Sequence, residues 1–462
     1  MDGSQPINPY LSGNYAPVSS EDDFALEVVG EMPAGLAGAF YRNGPNPQFA
    51  PRDDYHWFAG DGMIHAVFVE DGKARYRNRY VRTPKWTLEH AAGKALFGTF
   101  GNPMTSDPSV IGKDGGVANT NIVWHAGHLM ALEEGHPPFE LDPVTLESKG
   151  YRNEYRGRVT AHPKLDPETG EMVWFAYSVG DVPFSNTLSY GLTDAKGQVV
   201  RRDDFEAPYC SMVHDFLVTR GHVLFPILPL TGSLQRAMTG LPPFAWEPDK
   251  GSHVGVMARS AGVETMRWFT TDALYVFHPM NAWEEGDKIF ADVMEYPSAP
   301  LFPNADGSRG ADTVARLVRW TFDLADASDT IKRQPLDDLA GEFPRFDERR
   351  AGLAYRHGWF AGNSQQVRGA GFDCLAHVDV TTGQRKVFAL APGEVTGEPV
   401  FVPRSADAAE GDGWLVALIY RAAEQRSDFV VFDAQDIPAG PVAVAKLPRR
   451  VPFGFHGNWR AA

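Results

Sequence analysis

The sequence predicts an all-β protein assembled as a radial array of four-stranded sheets, and three observations predict it. Short runs rich in β-branched and aromatic residues, bounded by Gly, Asp or Pro, recur along the chain: GEMVWFAYSVG (170–180), GHVLFPILPL (221–230), GWLVALIYR (413–421) and SDFVVFDA (427–434). One turn pattern repeats, an Asp closing an apolar or aromatic run before a turn that feeds the next strand. It occurs in LDPVTLES (141–148), LDPETGEM (165–172), FDLADASD (322–329), VDVTTGQR (378–385) and FDAQDIPA (432–439). Helical signal is sparse, the best case being TPKWTLEHAAGKALFG (83–98), with Pro near its start and Gly98 as its stop.

Each element has a local cause. Branched and aromatic side chains pack well on a pleated, half-buried surface. Asp accepts hydrogen bonds from the amides just beyond it, and Gly takes up positive φ, so both suit the turns. A hairpin unit repeated along most of a chain is the pattern of a β-propeller. No low-complexity linker divides the sequence, which reads as a single domain over residues 1–462.

Composition narrows the function. With 46 Gly and 35 Pro in 462 residues, the chain stays below the about 25–30% of these residues that marks disorder. Forty-three basic against 59 acidic residues leave a net charge of −16, which argues against nucleic acid or an anionic membrane as partner. The two cysteines, Cys210 and Cys374, have no metal-like spacing, as expected of a reduced, cytoplasmic protein. The N-terminus lacks a basic region followed by an apolar run, and the strongest apolar stretch, VLFPILPL (223–230), is broken by two prolines. Neither a signal peptide nor a membrane span is expected.

The chemistry lies in the histidines. Of 14, four open or close a strand-like run: His162 in TAHPKLDPETGE, His214 in SMVHDFLVTRGHVLF, His278 in YVFHPMNAWEE and His456 in FGFHGNW. No two share a hairpin, so they can converge only if each comes from a different blade of a propeller and points down its axis. The last sits in PRRVPFGFHGNW (448–459), where a tail would ordinarily fray. Phe453, Phe455 and Trp459 beside it predict a tail that docks.

These segments, with YRNGPNPQF (41–49), HWFAGDGMIHAV (56–67), MALEEGHPP (130–138), GEFPRFD (341–347) and GEPVFVP (397–403), resemble the carotenoid cleavage oxygenases over nearly the whole chain. The resemblance implies a seven-bladed β-propeller with a few short helices and loops capping the substrate face. It implies Fe(II) on the axis, held by His162, His214, His278 and His456, with O2 and an alkene as reactants. It also implies that Glu134, Glu342 and Glu398 fix the outer ring nitrogens, because outer carboxylates set tautomer and orientation. The implied reaction splits a conjugated double bond into two carbonyl products. No nicotinamide or flavin is needed, and no GxGxxG stands between a strand and a helix.

For the pocket, Phe49, Phe100 and Phe277 are expected to wall an apolar tunnel. The wording of RNGPNPQFAP and FAGDGMIHA is most similar to the bacterial stilbene-cleaving branch, whose members hold a phenolic hydroxyl with a Tyr and a Lys. Phe100 and Glu133 occupy those two positions here, which removes a phenolate grip. A stilbenoid held differently, a phenylpropene or a linear apocarotenoid therefore stay open as substrates. LTGSLQRAMTGLPPFAW (230–246) reads as a surface loop with an alternative as an apolar mouth. His56, His65, His125, His128 and His136 read as structural or as the tunnel rim, and YRNGPNP carries no assigned chemistry. Two other classes remain: a calcium-dependent propeller hydrolase with oxygen ligands, and a metal-free scaffold.

Overall fold

Aspartates close the hairpins in the way their side chains dictate. In the computed structural model, which describes residues 8–52, 55–98, 105–366 and 371–462, Asp142 Oδ1 accepts from the amides of Val144 and Thr145. Asp166, Asp323 and Asp379 repeat this with the amides two and three residues on, and Asp433 with that of Gln435. The four apolar runs form the strands Met172–Tyr177, His222–Ile227, Gly413–Arg421 and Arg426–Asp433. The predicted helix spans Pro84–Ala92, capped by the Thr83 side chain. It stops at Gly93, whose φ of 66° gives the left-handed C-cap, five residues before the expected Gly98.

Among the described residues, the strands form seven sheets of four or more strands and one two-stranded ribbon. The chain divides into two compact units. One takes the chain up to Gly157 with Leu418–Phe429 and Ala443–Ala462; the other takes Arg158–Ala417 with Val430–Val442.

Within the first unit, the two ends of the chain share a sheet. Its strand order is Asp23–Ala25, Lys73–Tyr80, Gly62–Glu70, Gly38–Pro45, Gly457–Ala461. Antiparallel pairing runs from Gly38 opposite Ala461 to Arg42 opposite Gly457. The tail docks through its aromatics: the Phe453 ring lies 4.9 Å from Tyr15 and the Phe455 ring 4.4 Å from Trp57.

Within the second unit, four four-stranded sheets each begin with the strand at their edge. Those strands are Lys164–Leu165, Leu217–Val218, Tyr275–Glu285 and Ala340–Phe346. Trp174, Trp320 and Trp359 lie in the cores with their indole N–H groups donating to Thr193 Oγ1, Glu295 Oε2 and Ala434 O. Large rings can be buried there because that one polar atom is satisfied.

No helix among the described residues is long and apolar enough to cross a membrane. Segment 230–246 forms the ribbon Leu230–Gly232 with Phe244–Trp246 around a short helix, Leu234–Met238, and exposes Leu234, Met238 and Leu241.

Candidate metal centre

Three of the singled-out histidines stand at the entrances of edge strands in the second unit. His162 precedes Lys164–Leu165 by two residues, His214 precedes Leu217–Val218 by three, and His278 is the fourth residue of Tyr275–Glu285. A β-bulge aims the last. The ladder passes from Val276 opposite Glu295 to Pro279 opposite Val293, so Phe277 and His278 together face one residue. The next edge strand does the same at Glu342, where Phe343 and Pro344 face Phe360 alone and Phe343 adopts a φ of 56°.

The rings meet at their Nε2 atoms. His214 Nε2 lies 3.1 Å from His162 Nε2 and 3.1 Å from His278 Nε2. The fourth, His456, lies in the first unit, just before the strand Gly457–Ala461. Each is at least nine-tenths buried.

A cation fits this donor set better than hydrogen bonding does. An imidazole nitrogen carries one proton or one lone pair, so His214 Nε2 cannot satisfy both neighbours. Three lone pairs converging on one ion satisfy all of them. With metal–imidazole bonds of about 2.1 Å, ligands at right angles sit about 3 Å apart and tetrahedral ones about 3.4 Å. The two observed separations fall in the range that two ligands of one ion span.

Carboxylates orient the rings from behind. His278 Nδ1 lies 2.6 Å from Glu342 Oε2, so the Nδ1–H donates outward and the Nε2 lone pair points inward. Burial lowers the His278 pKa, yet the charge and hydrogen bond of Glu342, with Asp215 and Glu398 behind them, raise it overall. Glu342 Oε1 is buried without a hydrogen-bond partner among the described residues. Glu398 lies just before the strand Val400–Pro403, its Oε1 3.3 Å from Arg345 Nη1. Glu134 is half-buried just after the strand His128–Leu132.

Three participants escape sequence reading. Asp215, next to His214, turns its Oδ2 to within 3.7 Å of His162 Nδ1, while Oδ1 accepts from the Phe216 amide and pairs with Lys164 Nζ at 2.7 Å. Lys164 thus offsets Asp215 and Arg345 offsets Glu398, two cations that the three-glutamate expectation leaves out. The available signal was an acid beside one candidate ligand and a cation two residues after another, the spacing that puts side chains on one face of an extended chain.

The expected pocket residues fall in different places. Phe277 is buried, its ring 5.2 Å from the His214 ring and 4.9 Å from Tyr275. Phe343, not singled out, stacks 5.5 Å from His278. Phe49 is half-buried after the strand Gly38–Pro45, and Phe100 lies outside the described residues. Glu133 Oε1 accepts from the amides of Val117 and Ala118 and sits 3.1 Å from His136 Nδ1. Burial raises its pKa, but His136 and those amides pull it below the usual carboxylate range. Exchanging it for the lysine of the stilbene-cleaving branch strands two amides. Glu133→Lys is expected to lose about 2–3 kcal/mol of stability, read as a lower Tm, whereas Phe100→Tyr alone should raise turnover of 4-hydroxystilbenes. Of the other histidines grouped in the sequence analysis, His56 is tied to the Phe58 amide, His65 to Tyr76 and His128 to Glu140.

A family described as retinal pigment epithelial membrane protein matches residues 15–461. This chain belongs to that family, the carotenoid oxygenases. Isoeugenol monooxygenase of Pseudomonas nitroreducens is 41% identical, with 98% of each chain covered. Lignostilbene-α,β-dioxygenase isozyme III of Sphingomonas paucimobilis is 39% identical over 99% of this chain and 98% of its own. The crystal structure of Pseudomonas brassicacearum lignostilbene dioxygenase superposes with a TM-score of 0.94 at 35% identity, covering 99% of both chains. The fold of this carotenoid oxygenase is therefore the seven-bladed β-propeller, and the chain is an enzyme that cleaves a C=C bond with O2.

Proposed function

We propose that this oxygenase binds Fe(II) through His162, His214, His278 and His456, and splits the double bond conjugated to the aromatic ring of a phenylpropenoid or stilbenoid. The observation that carries the metal assignment is the convergence of Nε2 atoms at 3.1 Å, which neutral imidazoles cannot satisfy among themselves. Nitrogen donors also argue against the calcium hydrolase, since calcium takes oxygen ligands. Held there, iron would supply the activation of dioxygen toward an electron-rich alkene.

The chain's own residues do the rest. Glu342, Glu398, Glu134 and Asp215 hold the rings in register as outer partners. Phe277 and Phe343, packed beside His214 and His278, shield that side of the metal from water and offer faces for an aromatic substrate. The substrate class follows the two relatives near 40% identity, whose names give isoeugenol and lignostilbene. Both carry an alkene on a phenolic ring. Cys210 and Cys374 are free thiols, which fits action in the reducing cytoplasm.

The test is incubation of iron-loaded protein under 18O2 with isoeugenol, 4-hydroxystilbenes and apocarotenals, with aldehydes read by mass. Aromatic aldehyde from a phenylpropene or stilbene is expected, and its label counts the oxygen atoms delivered. Cleavage of apocarotenals alone would overturn the substrate class. Metal analysis showing calcium in place of iron would overturn the centre.

A further inference from the structure

The main chain around His456 is held by one short run of the strand Gly38–Pro45, Arg42-Asn43-Gly44, the stretch to which sequence reading assigned no chemistry. The Asn43 amide donates to His456 O at 2.9 Å, and Asn43 O accepts from the Phe455 amide at 3.0 Å. Two tail residues thus face one strand residue, the arrangement of a β-bulge, which re-aims a side chain. The His456 amide donates to Thr120 O at 3.2 Å.

The Asn43 side chain fixes the same loop. It is fully buried, and its Nδ2 donates to Ala118 O at 2.9 Å and to Asn121 O at 2.8 Å, while Oδ1 accepts from the Gly44 amide at 2.9 Å. One asparagine therefore ties together the strand, the loop 118–121 and the tail. Arg42 braces the approach. Its buried guanidinium donates from Nη2 to Pro452 O at 2.6 Å. The backbones meet closely enough that a Cβ on Gly44 would lie 2.7 Å from Gly454 Cα. A Cβ on Gly454 would collide with the Arg42 guanidinium and sit 2.8 Å from Asn43 O.

We propose that Asn43, braced by Arg42 and by the Gly44–Gly454 contact, is the positioning residue that holds His456 on the metal. The proposal rests on the reading of His456 as an iron ligand. The physical need is clear from the fold: the strand that follows His456 lies at the edge of its sheet. A metal ligand, in contrast, must be held to within about 0.5 Å.

The test is iron affinity of Asn43→Ala by competition with a chelator, together with amide hydrogen exchange of the peptide covering 450–459. Affinity is expected to fall about 10–100-fold, the range for loss of an outer-shell support. Exchange should rise in the tail and stay unchanged in the strand Met172–Tyr177. A purely structural role would lower Tm and leave the affinity of the folded protein alone. Iron affinity within about twofold of wild type, or a tail that keeps its protection, overturns the proposal. Arg42→Met and Gly454→Ala, which loosen the same clamp from its other side, carry the same two readouts if Asn43→Ala does not fold. His456→Ala separates the two levels. If it keeps iron, the ligand reading has failed; if it loses iron while Asn43→Ala keeps it, only the positioning role has failed.

Discussion

His456→Ala is expected to abolish turnover and weaken iron binding by more than about 100-fold, beyond the range seen when only an outer partner is removed. The expectation follows from where the residue sits. In the proposed centre it is one of four nitrogen donors, so alanine removes one of them and opens the centre to water. The fold should survive, because the strand Gly457–Ala461 keeps its pairing with Gly38–Arg42 and Phe453 and Phe455 keep their aromatic contacts. Metal content, thermal melting and activity check it together. An active variant with a full complement of iron would remove His456 from the centre.

Glu342→Gln is the second large effect. The amide matches the carboxylate in shape and still accepts from His278 Nδ1, but it withdraws the charge that strengthens that bond. Iron affinity is expected to fall about 10–100-fold, with kcat falling and the fold intact. The bulge that aims Glu342 is set by the backbone and is not altered by the exchange, so the loss would report charge rather than position. Glu342→Ala should be worse, since it leaves the His278 N–H buried without its 2.6 Å acceptor. Equal iron affinity in wild type and Glu342→Gln would show that hydrogen-bond acceptance, without charge, is enough.

Much of this protein is local and therefore legible. The Asp-led turns at Asp142, Asp166, Asp323 and Asp379 rest on hydrogen bonds to amides two and three residues away, and a linear reading finds them. The strands around Trp174 and Val416 follow from short runs of branched and aromatic residues. The helix at Pro84 is legible at its start, where Pro and a Thr cap mark it, and less so at its end. Gly93 and Gly98 are both competent stops, and only the backbone shows which takes the left-handed turn.

The site divides along the same line. Motif order singles out the four histidines and Glu342. Asp215 and Lys164 escape it because they bear on His162 through a 3.7 Å approach and a 2.7 Å ion pair that no spacing rule specifies. Sequence reading turns Glu133 toward substrate; that its Oε1 takes two backbone amides from residues 117 and 118 is visible only in the structure. Asn43 reads as part of a Gly/Pro turn, and its role in holding the tail emerges only when residues 43, 118, 121 and 456 are seen together.

By itself, the sequence determined the all-β class, the turn chemistry and the helix start, because each depends on residue type and near neighbours, and its family resemblance implied the metal-binding side chains we propose. Only the tertiary structure decided that His162, His214 and His278 meet at 3.1 Å, that bulges aim His278 and Glu342, and that the N-terminal strand holds the C-terminal histidine. Those facts depend on separations of tens to hundreds of residues closed by sheet packing, and a chain read in one dimension carries no measure of that distance.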